Sequence, residues 1–168
     1  MGYKSILLTL DGSLFAEQAL QHVVSLAEPG ALIHVVSVLV HEPIDLLTGV
    51  ARSSSYFTPF SYSDVFANQN SLTAENNAHL AHNRQSYLEQ VTRQLVEAGY
   101  TVTLEVRTGD PVKAIIDAAQ NGCEVILMAT HGRTGFSKAL LGSVAETVLR
   151  QAPCPMLLIP VRAVELAN

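Results

Sequence analysis

The sequence predicts a single α/β domain built on an open parallel sheet of five strands with helices on both faces. Three observations carry this reading. Apolar runs without alternation occur, such as Ile6-Leu7-Leu8-Thr9-Leu10 and Val125-Ile126-Leu127-Met128-Ala129. Stretches with helical period lie between such runs, and glycine, proline or small polar residues mark the junctions. Length and composition agree, because 168 residues, 48% of them hydrophobic and 15% charged, suit one compact domain able to bury a sizeable core.

A strand covered on both faces reads as a continuous apolar run, so Ile6 to Leu10 is the first strand, stopped at Asp11-Gly12-Ser13. From Ser13, a good N-cap, the residues Ala16, Ala19, Leu20, Val23 and Ala27 recur at helical spacing until Pro29-Gly30, which predicts one helix. Ala31 to Val40, broken by His34 and Ser37, is a second buried strand. His34 reads as a satisfied interior histidine, with a ligand or switch as the alternative. From His41 to about Asn77 no period is sustained, yet Tyr56, Phe57, Phe60, Tyr62 and Phe66, five of the ten aromatic residues, fall there. An insertion of that length is a lid, an interaction surface or a partly disordered segment. It leaves the carboxyl end of the second strand, which favours a lid.

A second helix presents Leu80, Tyr87, Leu88, Val91 and Leu95 on one face and ends at Gly99. Thr101 to Arg107 alternates strictly, with Val102, Leu104 and Val106 opposite Thr103, Glu105 and Arg107, as a half-exposed edge strand does. Gly109-Asp110-Pro111 opens a third helix carrying Val112, Ile115, Ile116 and Ala119. Val125 to Ala129 is a central strand, a glycine-bearing loop follows it, and a helix runs from about Ser143 to Gln151. Pro155 and Pro160 flank or enter the last strand, which therefore belongs at the other edge. With strands 3 and 5 at the edges, the order is 3-2-1-4-5. The winding then reverses between strands 1 and 4, where open α/β sheets bind ligands beyond the carboxyl ends of the strands.

Ten Lys and Arg against fifteen Asp and Glu give a net charge of −5 without a basic cluster, which argues against nucleic-acid binding. Cys123 and Cys154 form no CxxC pair, so the spacing supports neither a disulfide framework nor a zinc site, and Cys154 reads as an inert core thiol. The first apolar stretch is too short for a signal or membrane segment. A reduced, cytoplasmic setting is expected.

The switch point brings Asp11 beside the segment from Ala129 to Ser143, where glycines permit close backbone approach to an anion and a helix N-terminus adds donors. The segment is neither a Walker A loop nor G-x-G-x-x-G. Ser143 and Glu146 have capping-box spacing. Asp11 could cap the first helix, Gly132 and Gly135 could be plain turn glycines, and Arg133 and Lys138 could be a solvated face or screen phosphate. His131 is a loop hydrogen-bonder or a proton shuttle.

The pattern Ala129-x2-Gly132-x9-Gly142-Ser143, together with Asp11, Gly109-Asp110-Pro111 and Ala152-Pro153-Cys154-Pro155, resembles the nucleotide-binding branch of the universal stress protein family. Ala129 stands where that family's motif has its first glycine. The resemblance implies a Rossmann-like, adenine nucleotide alpha hydrolase-like fold as one domain over 1–168, with an insertion at about 41–77. It implies that Asp11 lies near the ribose or the metal-phosphate group, with Thr9 on the same wall and Val38 packed on adenine. Met128, Ala129, Thr130, His131, Gly132, Arg133 and Thr134, with Gly142, Ser143 and Val144, would wrap the ribose and phosphates. The implied ligand is ATP, ADP or AMP, and Asp11 would share a magnesium or manganese ion with the phosphates. An edge strand with Met156, Leu157, Leu158 and Ile159 apolar on both faces invites pairing with a second copy, and the family resemblance suggests the same homodimer.

These features imply an ATP-binding stress-response regulator with at most slow hydrolysis, because one carboxylate and a few basic residues are a sparse set for phosphoryl transfer. The alternative is an interaction protein of the same fold without nucleotide. A phosphoacceptor receiver is disfavoured, since it needs paired acids after strand 1 and a lysine after strand 5, where this chain has Asp11 alone and Arg162.

Overall fold

The computed structural model describes residues 2–40, 74–131 and 142–161. The first apolar run forms β1 (Tyr3–Thr9), followed by α1 (Leu14–Glu17), α2 (Leu20–Leu26) and β2 (Ala27–Leu39). After the segment 41–73 come α3 (Ala74–Glu97), β3 (Thr101–Thr108) and α4 (Pro111–Ala119). β4 (Val125–His131), α5 (Ser143–Gln151) and β5 (Met156–Val161) complete the described elements. The five strands make one sheet in the order β3-β2-β1-β4-β5, and every pairing is parallel. The predicted order is therefore the observed one, with β1 and β4 adjacent at the reversal.

Two apolar layers cover the sheet. On one face Ile6 and Leu8 of β1, Ile33 and Val35 of β2 and Val125 and Leu127 of β4 meet Ala16, Leu20 and Val23 of α1 and α2 and Leu88 and Leu95 of α3. On the other face Leu7, Val36 and Ile126 meet Ile115, Ala118 and Ala119 of α4 and Val148 of α5. This double cover is why the central strands read as unbroken apolar runs. Among the described residues no helix is long and apolar enough to cross a membrane.

Local chemistry sets the helix starts. Ser13 Oγ accepts from the Ala16 N–H at 3.1 Å, the N-cap bond expected of that residue. Asp110 Oδ1 accepts from the N–H groups of Val112 and Lys113 at 2.8 and 3.1 Å, with Pro111 at the first helical position.

Several boundaries differ from expectation: β1 begins at Tyr3 rather than Ile6, and β4 runs on past Ala129 to His131. The single helix after Ser13 is split, because Ala19 N–H bonds to Ala16 O and His22 N–H to Ala19 O, tightening the turn between α1 and α2. β2 begins at Ala27 rather than Ala31, because Tyr3 pairs with Ala27 before a bulge shifts the register to Ser5 with Leu32. Gly2 lies so close to this crossing that a Cβ there would meet Leu26 O at 2.8 Å. Finally, α3 starts at Ala74, so the last residues assigned to the insertion are helical despite lacking an apolar period. The lid expected from Tyr56, Phe57, Phe60, Tyr62 and Phe66 lies outside the described residues.

On the polar face of β3, Thr103 is exposed while Glu105 and Arg107 are tied down. His34 Nε2 lies 3.1 Å from Glu105 Oε2, Arg107 Nε donates to Glu105 Oε1 at 2.8 Å, and Arg107 Nη1 donates to Ala114 O of α4 at 3.0 Å. His34 is thus the satisfied histidine of the two readings. The Arg107 hydrogen bond and charge, aided by His34, hold the Glu105 carboxyl below its ordinary value against the opposing effect of burial. A carboxyl depressed in the folded chain stabilises it above the unfolded pKa, and that contribution disappears as pH falls through the folded value. Thermal melts between neutral pH and about pH 3 are expected to show a shallower acid-side decline for Glu105→Gln than for the parent chain. Parallel curves would remove Glu105 from the acid response.

Candidate functional site

Parallel pairing aligns the carboxyl ends of the strands along one edge of the sheet. Thr9 at the end of β1 is in register with Met128 of β4, and Leu10 N–H continues the ladder to Val36 O at 3.0 Å. The chain then turns at Asp11, beside the end of β4. Thr9 and Thr130 are buried, whereas Asp11 is exposed.

Of the expected site residues, the fold brings Val38, Met128 and Val144 against one apolar layer, that of Leu7 and Val36. Thr9 and Val36 are register partners, which puts Thr9 on the same face. Ala129 packs on the opposite layer, so it reaches this side of the sheet through its backbone alone. His131 ends β4, while Gly132, Arg133 and Thr134 lie outside the described residues, as do Gly135 and Lys138.

Asp11 Oδ1 accepts from Ser13 N–H at 2.9 Å and Ser13 Oγ–H at 2.6 Å, and Ser13 in turn caps α1. The cap of α1 is thus Ser13 rather than Asp11, and the bonds from Ser13 orient the Asp11 carboxylate at the switch point. Close to it, the Tyr87 hydroxyl of α3 donates to Glu17 Oε1 at 3.0 Å. Burial and the Glu17 and Asp11 carboxylates push the Tyr87 phenol far above its ordinary pKa. Arg84, buried one turn earlier in α3, donates to Ser37 Oγ at 3.0 Å and stacks 5.9 Å from the Tyr87 ring centroid. Arg84 and Tyr87 had no signal beyond helical spacing in the sequence.

At α5 the expected capping box does not form. Gly142 is the N-cap, without a side-chain bond, and Glu146 pairs with Arg150 at 2.9 Å instead of reaching back. The helix starts one residue earlier than a Ser143 cap requires, so that Ser143 is itself its first residue. Ser143 O accepts from Thr147 Oγ1 at 2.7 Å, and Glu146 N–H bonds to Gly142 O at 2.9 Å. Gly142 has φ +80° and ψ +143°, a conformation open to glycine and strained for other residues, and a Cβ there would meet nothing within 4 Å. Among the described residues, none fills the space beside Gly142 at the first turn of α5, where N–H groups and the positive end of the helix dipole gather.

A cavity of about 400 Å³ adjoins this turn, lined by Val40, Gly109, Asp110, Pro111, Val112, Ser143, Val144 and Thr147. Apolar walls from three valines face a polar rim from Ser143, Thr147 and Asp110, the composition of a small-molecule site. Ser143 and Val144 were expected here, whereas Val40, Val112 and Thr147 were not. Thr147 was accessible to reasoning, since a residue four after Ser143 shares its helix face. A flat base suits the valines, and an anion suits the open helix start, so an adenine nucleotide fits the groups present. Among the described residues no group of three or more His, Cys, Asp or Glu could hold a metal ion, so a cation would rely on Asp11 and the ligand's own phosphates.

The sequence model of the Universal stress protein family matches residues 2–160. The chain belongs to this family. It is 32% identical over 167 residues to Universal stress protein MJ0577 of Methanocaldococcus jannaschii, covering 94% of each chain. A solved structure of MJ0577 superposes with a TM-score of 0.69 at 25% identity, covering 97% of this chain and 99% of that one. The fold is shared with a universal stress protein family protein from Arabidopsis thaliana with AMP bound (TM-score 0.55, 16% identity, covering 97% of this chain and 95% of that one). It is also shared with a universal stress protein in complex with cAMP (TM-score 0.55, 15% identity, covering 95% and 98%). The family resemblance of the glycine-bearing segment and the sheet order thus agree with whole-chain similarity.

Proposed function

We propose that this universal stress protein binds an adenine nucleotide, with ATP as the ligand that engages its phosphate-side groups, and acts as a nucleotide-dependent stress-response regulator in the cytoplasm. The observation that carries the reading is the cavity beside the uncapped N-terminus of α5, with Gly142 leaving open the volume that a phosphate requires. AMP and cAMP bound to proteins of the same fold support an adenine ligand. Val38, Val40, Val112 and Val144 supply apolar surface for the base. Thr9, Asp11, Met128 to Thr134, Gly142 and Ser143 surround the ribose and phosphates, and Asp11 shares a magnesium or manganese ion with them. When bound, that cation would neutralise phosphate charge. Hydrolysis is at most slow, because among the described residues no placed base accompanies the Asp11 carboxylate.

Mass spectrometry or HPLC of the small molecules released from purified, denatured protein tests this directly. Stoichiometric adenine nucleotide supports the reading, and a nucleotide-free chain that also fails to take up ATP defeats it. The second reading, an interaction protein of the same fold without nucleotide, draws on the bonds from Ser13 that already engage Asp11 Oδ1.

The Asp11→Ala chain is expected to bind ATP more weakly by about 1–3 kcal/mol, the scale of a lost charged hydrogen bond. Loss of the bonds that hold the capping Ser13 adds a stability decrease of about 0.5–1.5 kcal/mol, the scale of a hydrogen bond. Calorimetry with unchanged affinity would take Asp11 out of the site.

The functional unit is a homodimer paired through β5. Leu157 is 37% exposed, Leu158 is half-buried and Ile159 is buried, so the edge presents apolar side chains beside unpaired backbone groups. Sedimentation at micromolar concentration is expected to give a dimer, and Leu158→Lys a folded monomer. A monomeric parent chain, or a dimer that survives Leu158→Lys, contradicts this interface.

A further inference from the structure

The two cysteines are 31 positions apart in the chain, yet their sulfurs lie 3.2 Å apart. Cys123 sits in the connection entering β4 and Cys154 in the connection entering β5, at the amino ends of these strands. This is the opposite pole of the sheet from the candidate nucleotide cavity. Both thiols are partly exposed, and both pack beside Ile115, Ala118 and Ile126. We propose that Cys123 and Cys154 are a redox modification site, a dithiol that closes to an intramolecular disulfide by exchange with a low-molecular-weight disulfide.

Several features hold the pair in place. Pro153 and Pro155 fix φ on both sides of Cys154, which limits the positions its sulfur can take. Ile126 N–H donates to Pro155 O at 2.9 Å, and Ile126 is in register with Met156, so the two connections are joined by backbone bonds. Cys123 Sγ is 3.5 Å from Ala119 O, which accepts its proton and leaves the sulfur turned towards its neighbour. The sulfurs need to close by little more than an ångström to reach a bond length of about 2.05 Å, within reach of small side-chain rotations.

Burial, reinforced by the neighbouring thiol, pushes the Cys123 thiol up to about 12, so it is mostly protonated and a weak nucleophile at neutral pH. With the Cys123 proton engaged by Ala119 O, exchange opens at Cys154. Its thiolate attacks one sulfur of the small disulfide R–S–S–R, breaking that bond and releasing RS⁻. The Cys123 sulfur, on losing its proton, then attacks the Cys154 sulfur of the mixed disulfide and releases the second RS⁻. The protons of the two cysteines go to the two released thiolates. Two protein thiols are oxidised and one R–S–S–R is reduced to two RSH. In a reducing compartment such a bond is transient, and it reports a shift in the thiol–disulfide balance.

The bond would close a loop from 123 to 154 that contains β4, the glycine-bearing segment and α5. Closing a loop of this size restricts the unfolded chain. The purified, reduced full-length protein incubated with oxidised glutathione, then alkylated and weighed intact, tests the site. The expected species has lost two hydrogens, takes up no alkylating agent, and yields a linked pair of peptides containing Cys123 and Cys154 that reductant separates. Its melting temperature should rise by on the order of 10 °C relative to the reduced chain. Cys123→Ser and Cys154→Ser should each take up glutathione or alkylating agent instead. Two alkylated thiols in the oxidant-treated parent, persistent glutathione adducts on it, a disulfide between two chains, or a melting temperature that fails to rise would overturn the proposal.

Discussion

The Gly142→Val chain is expected to lose ATP binding altogether while remaining folded. Two effects act at this one position, and they are separable. The backbone there has φ +80°, so any side chain stores strain of about 1–3 kcal/mol, with a β-branched residue towards the upper end. A domain with a total stability of about 5–15 kcal/mol tolerates that loss. The added side chain clashes with no atom of the described residues, because a Cβ meets none of them within 4 Å, but it occupies the volume beside the first turn of α5. A phosphate would need that volume. Thermal unfolding and ATP titration on one sample read both effects. Destabilised, non-binding protein is the expected outcome, and folded Gly142→Val with the parent affinity would overturn the nucleotide-site reading.

Leu8→Ala is expected to cost about 2–5 kcal/mol of stability, the largest single-residue effect foreseen outside the site. Leu8 is fully buried near the carboxyl end of β1, in register with Val35 on one side and Leu127 on the other. Every neighbouring strand position is itself packed, so the lost volume has little means of collapsing. Leu149, 45% exposed on α5, provides the contrast, since its truncation should change stability by less than about 0.5 kcal/mol. Denaturant melts of the two variants measure the difference. Equal midpoints would show that β1 is not the sheet's central strand.

The sheet was legible in the sequence because coverage on two faces leaves a plain mark. Val125 to Ala129 has no polar residue, while Thr101 to Arg107 alternates, and these two patterns alone distinguish the central β4 from the edge β3. Helix starts at Ser13 and Asp110 were legible for a local reason, since a cap is a bond between residues two or three apart. The same locality misled at Ser143, where the capping-box spacing is present but the chain enters the helix through Gly142 at positive φ, so the helix begins one residue too early for the serine to act as cap.

By itself, the sequence determined the order of the strands and the switch point, because hydrophobic period and turn chemistry act over a few residues and leave their record in the chain. The tertiary structure alone decided what meets across long separations. Arg84 reaches Ser37, Tyr87 reaches Glu17, Glu105 links His34 to Arg107, and Cys123 meets Cys154. None of these pairs shares a turn or a helix face, apart from Glu105 and Arg107 on one strand. The cavity beside α5 belongs to the same class, because Val40, Val112 and Thr147 come from three elements whose approach is set by how the helices pack on the sheet. Packing is a property of the whole fold, and a one-dimensional pattern records which residues are buried without recording what each is buried against.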